Sequence, residues 1–160
     1  MTIADYQQAL QSQSAVEVVQ AALQKAQDTA DYNVFITMTA ERALERAAAV
    51  DRGEITGRLA GVPFAVKDNF AVDGAPTTAA SQFLATFTSP IQATAVERLE
   101  AEGAICIGKV NLDAFAHGGS TENSAFGPTK NAVDATRVAG GSSGGSAVAV
   151  ALDIVPFTLG

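Results

Sequence analysis

The run VAGGSSGGSAVAVA, residues 138–151, sets four glycines and three serines directly ahead of small apolar residues. The apolar AVAVAL, residues 147–152, reads as a helix, and IVPFTL, residues 154–159, as the strand after it. What the glycine-serine run does therefore decides both the architecture and the chemistry. Three readings compete. A flexible Gly/Ser linker fits the composition, but the run is short and leads straight into a core-type segment. A phosphate loop fits the spacing of Gly140 and Gly145, yet Ser146 stands where the phosphate-binding lysine belongs. A loop entering a helix N-terminus still attracts anions, so an anion- or nucleotide-binding module stays open. The third reading is a hydrolytic site, in which a serine needs a base to take its proton.

The sequence holds one histidine, His117 in DAFAHGGS, which makes a Ser-His-Asp triad a poor expectation. A lysine kept neutral by burial can take the same role. Lys67 is the candidate, because GVPFAVKDNF, residues 61–70, reads as a strand that delivers it at the far end. Sites in parallel sheets gather at such strand ends. The plainer alternative for Lys67 is a solvated lysine paired with its neighbour Asp68.

Outward from these segments, Ser89-Pro90-Ile91-Gln92 predicts a helix start with proline in the first turn, Val96 and Leu99 on its apolar face, and Gly103 at its end. AICIG, residues 104–108, then predicts a short strand buried on both faces. Strand, helix and strand in that order predict an α/β fold, with a mixed, mainly parallel sheet flanked by helices. Upstream, Ser14 and Glu17 form a predicted capping box. Val18, Val19, Ala22, Leu23 and Ala26 follow at helical spacing. A second helix runs from about Thr39 and stops near Gly53. Residues 118–145, rich in Gly, Ser, Thr and Asn, form a connection long enough to imply function.

Composition narrows the function classes. With 48% hydrophobic and 17% charged residues, the 160-residue chain belongs with folded proteins. A net charge of −7 argues against a direct grip on nucleic acid. No apolar run nears the roughly 20 residues of a membrane span, and the first residues lack a secretory signal pattern. The lone cysteine, Cys106, lies in an apolar strand and reads as a buried structural thiol. These features suggest the cytoplasm. No cluster has metal-ligand spacing, and no metal is expected.

Three blocks then carry a family resemblance: LAGVPFAVKDNF (59–70), GAICIGKVNLDAFAHGGSTENSAFGPTKN (103–131) and RVAGGSSGGSAVAVA (137–151). From about Ser14 to Gly160 the chain resembles the N-terminal part of an amidase signature enzyme. Within that family the block LDAFA and the run STENSAFGPTKN are most similar to the A subunit of tRNA-dependent amidotransferases. The resemblance implies a Ser–cis-Ser–Lys triad with Lys67 as general base. Ser142 would be the relay serine, preceded by a cis peptide bond, with Ser143 in a supporting role and Gly140 and Gly141 allowing the bend. Residues 1–160 would be the N-terminal part of a single amidase domain. The nucleophilic serine, the oxyanion hole and most glutamine-recognising residues would lie past Gly160, so the 160 residues alone are expected to be inactive.

In the whole enzyme glutamine would be hydrolysed to supply ammonia for converting Glu-tRNA(Gln) to Gln-tRNA(Gln). B and C subunits would be partners, ATP and Mg would sit at one of these partners, and tRNA would be held there. No cofactor would bind this segment. A general amidase acting on a small amide is the alternative within the family.

Overall fold

The computed structural model describes Met1–Gly160. Five α-helices and four strands follow in the order α1 (Ile3–Ala9), α2 (Ala15–Asp28), β1 (Phe35–Met38), α3 (Ala40–Asp51), β2 (Pro63–Lys67), α4 (Thr94–Ala101), β3 (Ile105–Val110), α5 (Gly144–Ala151) and β4 (Thr158–Leu159). The strands form one sheet in the order β1-β3-β2-β4. β1 runs antiparallel to β3, whereas β2 is parallel to both β3 and β4. The predicted mixed, mainly parallel sheet is thus what forms.

The α2 helix starts as its sequence demands. The Ser14 hydroxyl accepts from the Glu17 N–H at 3.1 Å, and the Glu17 carboxylate accepts from the Ser14 N–H at 2.8 Å. Loss of such a cap costs about 1 kcal/mol. Asp51, at the end of α3, accepts from the Ala15 and Val16 N–H groups, so the two helices fix each other's ends. Val18, Val19, Ala22, Leu23 and Ala26 are all buried, on the face the spacing predicts. Ala43 and Ala47 of α3 are fully buried, and side chains this small allow a close approach.

β2 is buried along its whole length, and its two faces serve different cores. Ala65 joins Ile105, Ile107, Val110 and residues of α2, α3 and α5. Phe64 and Val66 pack with Val72, Val96 and Cys106 on the other side. Phe64 also stacks on Phe157, with ring centroids 5.3 Å apart. Strand alternation puts Lys67 on the Ala65 side, toward α5.

Several boundaries differ from expectation. α4 begins at Thr94, not at Ser89. The Ser89 hydroxyl donates to the Ile91 carbonyl at 2.8 Å and closes a turn of its own instead of capping the helix. β3 extends past AICIG through Lys109 to Val110, because β2 pairs with it up to Lys67. IVPFTL contributes only Thr158–Leu159 as strand. Two elements, α1 and β1, come without a strong pattern in the sequence. α1 carries a capping box of Thr2 and Asp5, and the half-buried β1 lacks a clear alternation of burial. No helix is long and apolar enough to cross a membrane.

Candidate active site

The parallel strand β2 ends in Lys67, and the glycine-serine run enters α5 beside it. Lys67 is only 5% exposed, unusual for a lysine. Its Nζ lies 2.7 Å from the Ser142 Oγ and 2.8 Å from the Ser143 Oγ. The Gly141–Ser142 peptide bond is cis. Burial lowers the pKa of Lys67 from the ordinary lysine value, against an upward pull from the Asp113 charge. A lysine treated this way tends toward the neutral amine that can accept a proton.

Lys67 does not pair with Asp68. Successive strand residues face opposite sides, and Asp68 turns to Lys109, with 2.7 Å between Nζ and carboxylate and both side chains fully buried. Lys109 also donates to the Pro76 carbonyl and the Thr77 hydroxyl. Asp68 accepts from the N–H and the hydroxyl of Thr78. The solvated pair of the plainer reading is therefore replaced by a buried pair that leaves Lys67 to the serines.

The start of α5 also decides against the other two readings of the run. Gly144, Gly145 and Ser146 are buried, which no linker would require. The Gly144 N–H donates to the Thr121 hydroxyl, and the Gly145 N–H donates to the Asn111 carbonyl. Amides that a phosphate cradle would need are already committed. Gly145 must be glycine: a Cβ there would stand 2.6 Å from both the N and O of Asn111.

His117 is exposed and hydrogen-bonds through its backbone. Cys106 is fully buried, and burial pushes its thiol up to about 11, the behaviour of a structural cysteine. No group of three or more His, Cys, Asp or Glu side chains comes together to hold a metal ion.

A buried lysine, two serine hydroxyls in contact with it and a cis peptide between Gly141 and Ser142 meet here as the resemblance implies. The family model described as Amidase matches residues 17–160. The chain belongs to the amidase family. Its relatives in this family include the A subunit of the glutamyl-tRNA(Gln) amidotransferase of Gloeobacter violaceus, 55% identical over 151 residues, covering 91% of this chain and 31% of that protein.

Among solved amidase-family structures, the glutamyl-tRNA(Gln) amidotransferase A subunit of Thermotoga maritima superposes with a TM-score of 0.79 at 34% identity, over 97% of this chain and 32% of that one. A chain from a vestigial protein complex, described for the origins of an s-triazine catabolic enzyme, gives a TM-score of 0.94 at 40% identity, over 100% and 37%. The chain thus spans about a third of the length of the curated relatives it matches.

Two further residues stand beside the serines that sequence reasoning missed. Asp113 and Thr121 lie within motif blocks, but nothing in their local spacing marks them. Both are buried, and both hydrogen-bond to the glycine-serine run.

Proposed function

We propose that the full-length protein is the glutamine-hydrolysing A subunit of a tRNA-dependent amidotransferase, with Lys67 as general base and Ser142 as proton relay. The contact of Lys67 Nζ with the Ser142 hydroxyl, at 2.7 Å, carries the mechanistic reading. The 55% identity to a protein of that name supports the subfamily. A neutral amine has one lone pair and two N–H groups. It can accept the Ser142 hydroxyl proton while donating to Ser143. Ser142 would in turn take the proton of an attacking serine from the remainder of the protein. The attack would give a glutamyl ester and, once the leaving amine is protonated, ammonia.

In this reading the ammonia passes to a partner subunit that binds ATP, Mg and tRNA. The net charge of −7 on this segment fits a protein that leaves tRNA to its B and C partners. The assembly would work in the cytoplasm. Lys67→Ala in the full-length, assembled enzyme is expected to abolish glutamine-dependent amidation while amidation with free ammonia persists. Undiminished ammonia release from glutamine by that variant would refute the reading.

A second reading, a general amidase for a small amide, draws its support from a solved structure described simply as an amidase, with a TM-score of 0.90 at 39% identity. A clear preference for a small amide over glutamine in side-by-side hydrolysis would favour it.

A further inference from the structure

The two serine hydroxyls on Lys67 belong to a loop that must be held from behind, and two residues outside the triad do so: Thr121 through its hydroxyl, and Asp113 through its backbone N–H and a carboxylate that ties down the Ser120–Thr121 backbone. Asp113 is 1% exposed. Its carboxylate accepts from the N–H groups of Ser120 at 3.2 Å and Thr121 at 3.0 Å. Its own N–H donates to the Ser142 carbonyl at 3.2 Å. Gly141 lies against the same carboxylate so closely that a Cβ there would stand 2.1 Å from Oδ2. Thr121, fully buried, donates its hydroxyl to the Gly140 carbonyl at 2.7 Å and accepts from the Gly144 N–H at 3.1 Å. The loop is thus gripped on both sides of the serine pair, and its middle rests on Asp113.

The backbone of Thr121 adds an independent argument. Its φ is +59°, a left-handed value that a β-branched residue rarely takes. Glycine or asparagine would adopt this shape at lower cost. What threonine supplies and glycine lacks is the hydroxyl, and both of its hydrogen bonds go to the loop.

We propose that Asp113 and Thr121 are positioning residues, a clamp that holds Gly140–Gly144 so that the Ser142 and Ser143 hydroxyls meet Lys67. The proposal rests on the reading of Lys67 and Ser142 as base and relay. It gives Asp113 a second effect, since its negative charge stands near enough to Lys67 to favour the protonated amine. The neighbouring carboxylate, Asp68, is committed to Lys109.

The test uses glutamine hydrolysis by the full-length protein with its partners. Thr121→Val keeps shape and branching but removes both loop bonds. It is expected to lower kcat about 10–100-fold, with KM within about twofold. Thr121→Ser restores the hydroxyl and is expected to stay within about threefold of the parent. Asp113→Asn offers one acceptor where two N–H groups wait, and it removes the charge. It is expected to lower kcat and to move the acid limb of the pH profile to lower pH.

A Thr121→Val enzyme with unchanged kcat, or a Thr121→Ser enzyme as impaired as Thr121→Val, overturns the clamp. Should Thr121→Val fail to fold, Asp113→Asn decides, and an unshifted limb with unchanged kcat overturns the proposal. Lys67→Ala in the same assay separates the two levels. Its loss of activity beside an unaffected Thr121→Val refutes the clamp alone, whereas full activity in Lys67→Ala refutes the site and the clamp with it.

Discussion

Ser142 and Ser143 place their hydroxyl oxygens 2.7 and 2.8 Å from the same Nζ, so distance does not tell relay from support. Removal of each hydroxyl does. Ser142→Ala interrupts proton transfer, and acid–base catalysis of this kind contributes about 10²–10⁴-fold. That is the expected fall in kcat for glutamine hydrolysis. Ser143→Ala removes one hydrogen bond that orients the amine, worth about 0.5–1.5 kcal/mol. At about 1.36 kcal/mol per decade, the loss is about 2–13-fold.

The helix is not loosened by either change, since Ser143 occupies the N-cap position of α5 without a side-chain capping bond. The two expected ranges do not overlap. The assay is the initial rate of ammonia release from glutamine by the full-length, assembled enzyme, with kcat and KM determined for both variants. Equal losses, or a larger loss in Ser143→Ala, would refute the assignment of Ser142 as relay.

Lys109→Met leaves the Asp68 carboxylate buried with only the Thr78 donors, and it should destabilise the protein by about 3–5 kcal/mol. Denaturant unfolding would read this, and Asp68→Asn added to Lys109→Met should recover part of the loss. Gly145→Ala presses a methyl group against backbone atoms of Asn111 and Val34 and should cost about 1–3 kcal/mol in the same unfolding assay. Gly119→Ala, which meets nothing within 4 Å, should stay within about 0.5 kcal/mol. The pH dependence has a definite sign: with neutral Lys67 as the proposed base, kcat/KM should rise as the amine loses its proton. Burial lowers that pKa, and the rise in a pH–rate profile should therefore fall below the value of about 10.4 typical of a solvated lysine.

What the sequence disclosed was chemistry confined to a few neighbouring residues. The Ser14–Glu17 cap, the apolar face of α2, the burial of β2 and the Gly/Ser run at α5 are all local patterns. Lys67 and Ser142 stand 75 positions apart, and family resemblance, not spacing, joined them. Adjacency to Lys67 is a misleading guide to the partner of Asp68, because strand alternation separates consecutive side chains onto opposite faces. Asp113 and Thr121 escape a sequence reading because their value depends on a loop that returns some 20–30 residues later, and no periodicity records such a return. Ser89-Pro90 carries a valid helix-start pattern, yet the serine satisfies a nearer carbonyl first.

The buried Asp68–Lys109 pair has a meaning beyond cohesion. A base that must shed its proton is poorly served by a carboxylate next to it in the chain, because an unspent negative charge would draw the proton back. By surrendering that charge to Lys109 on the far face of the strand, the fold shields Lys67 electrostatically from its own neighbour. Lys109 touches neither Ser142 nor Ser143, yet by holding the Asp68 charge it favours the neutral amine that the proposed relay requires.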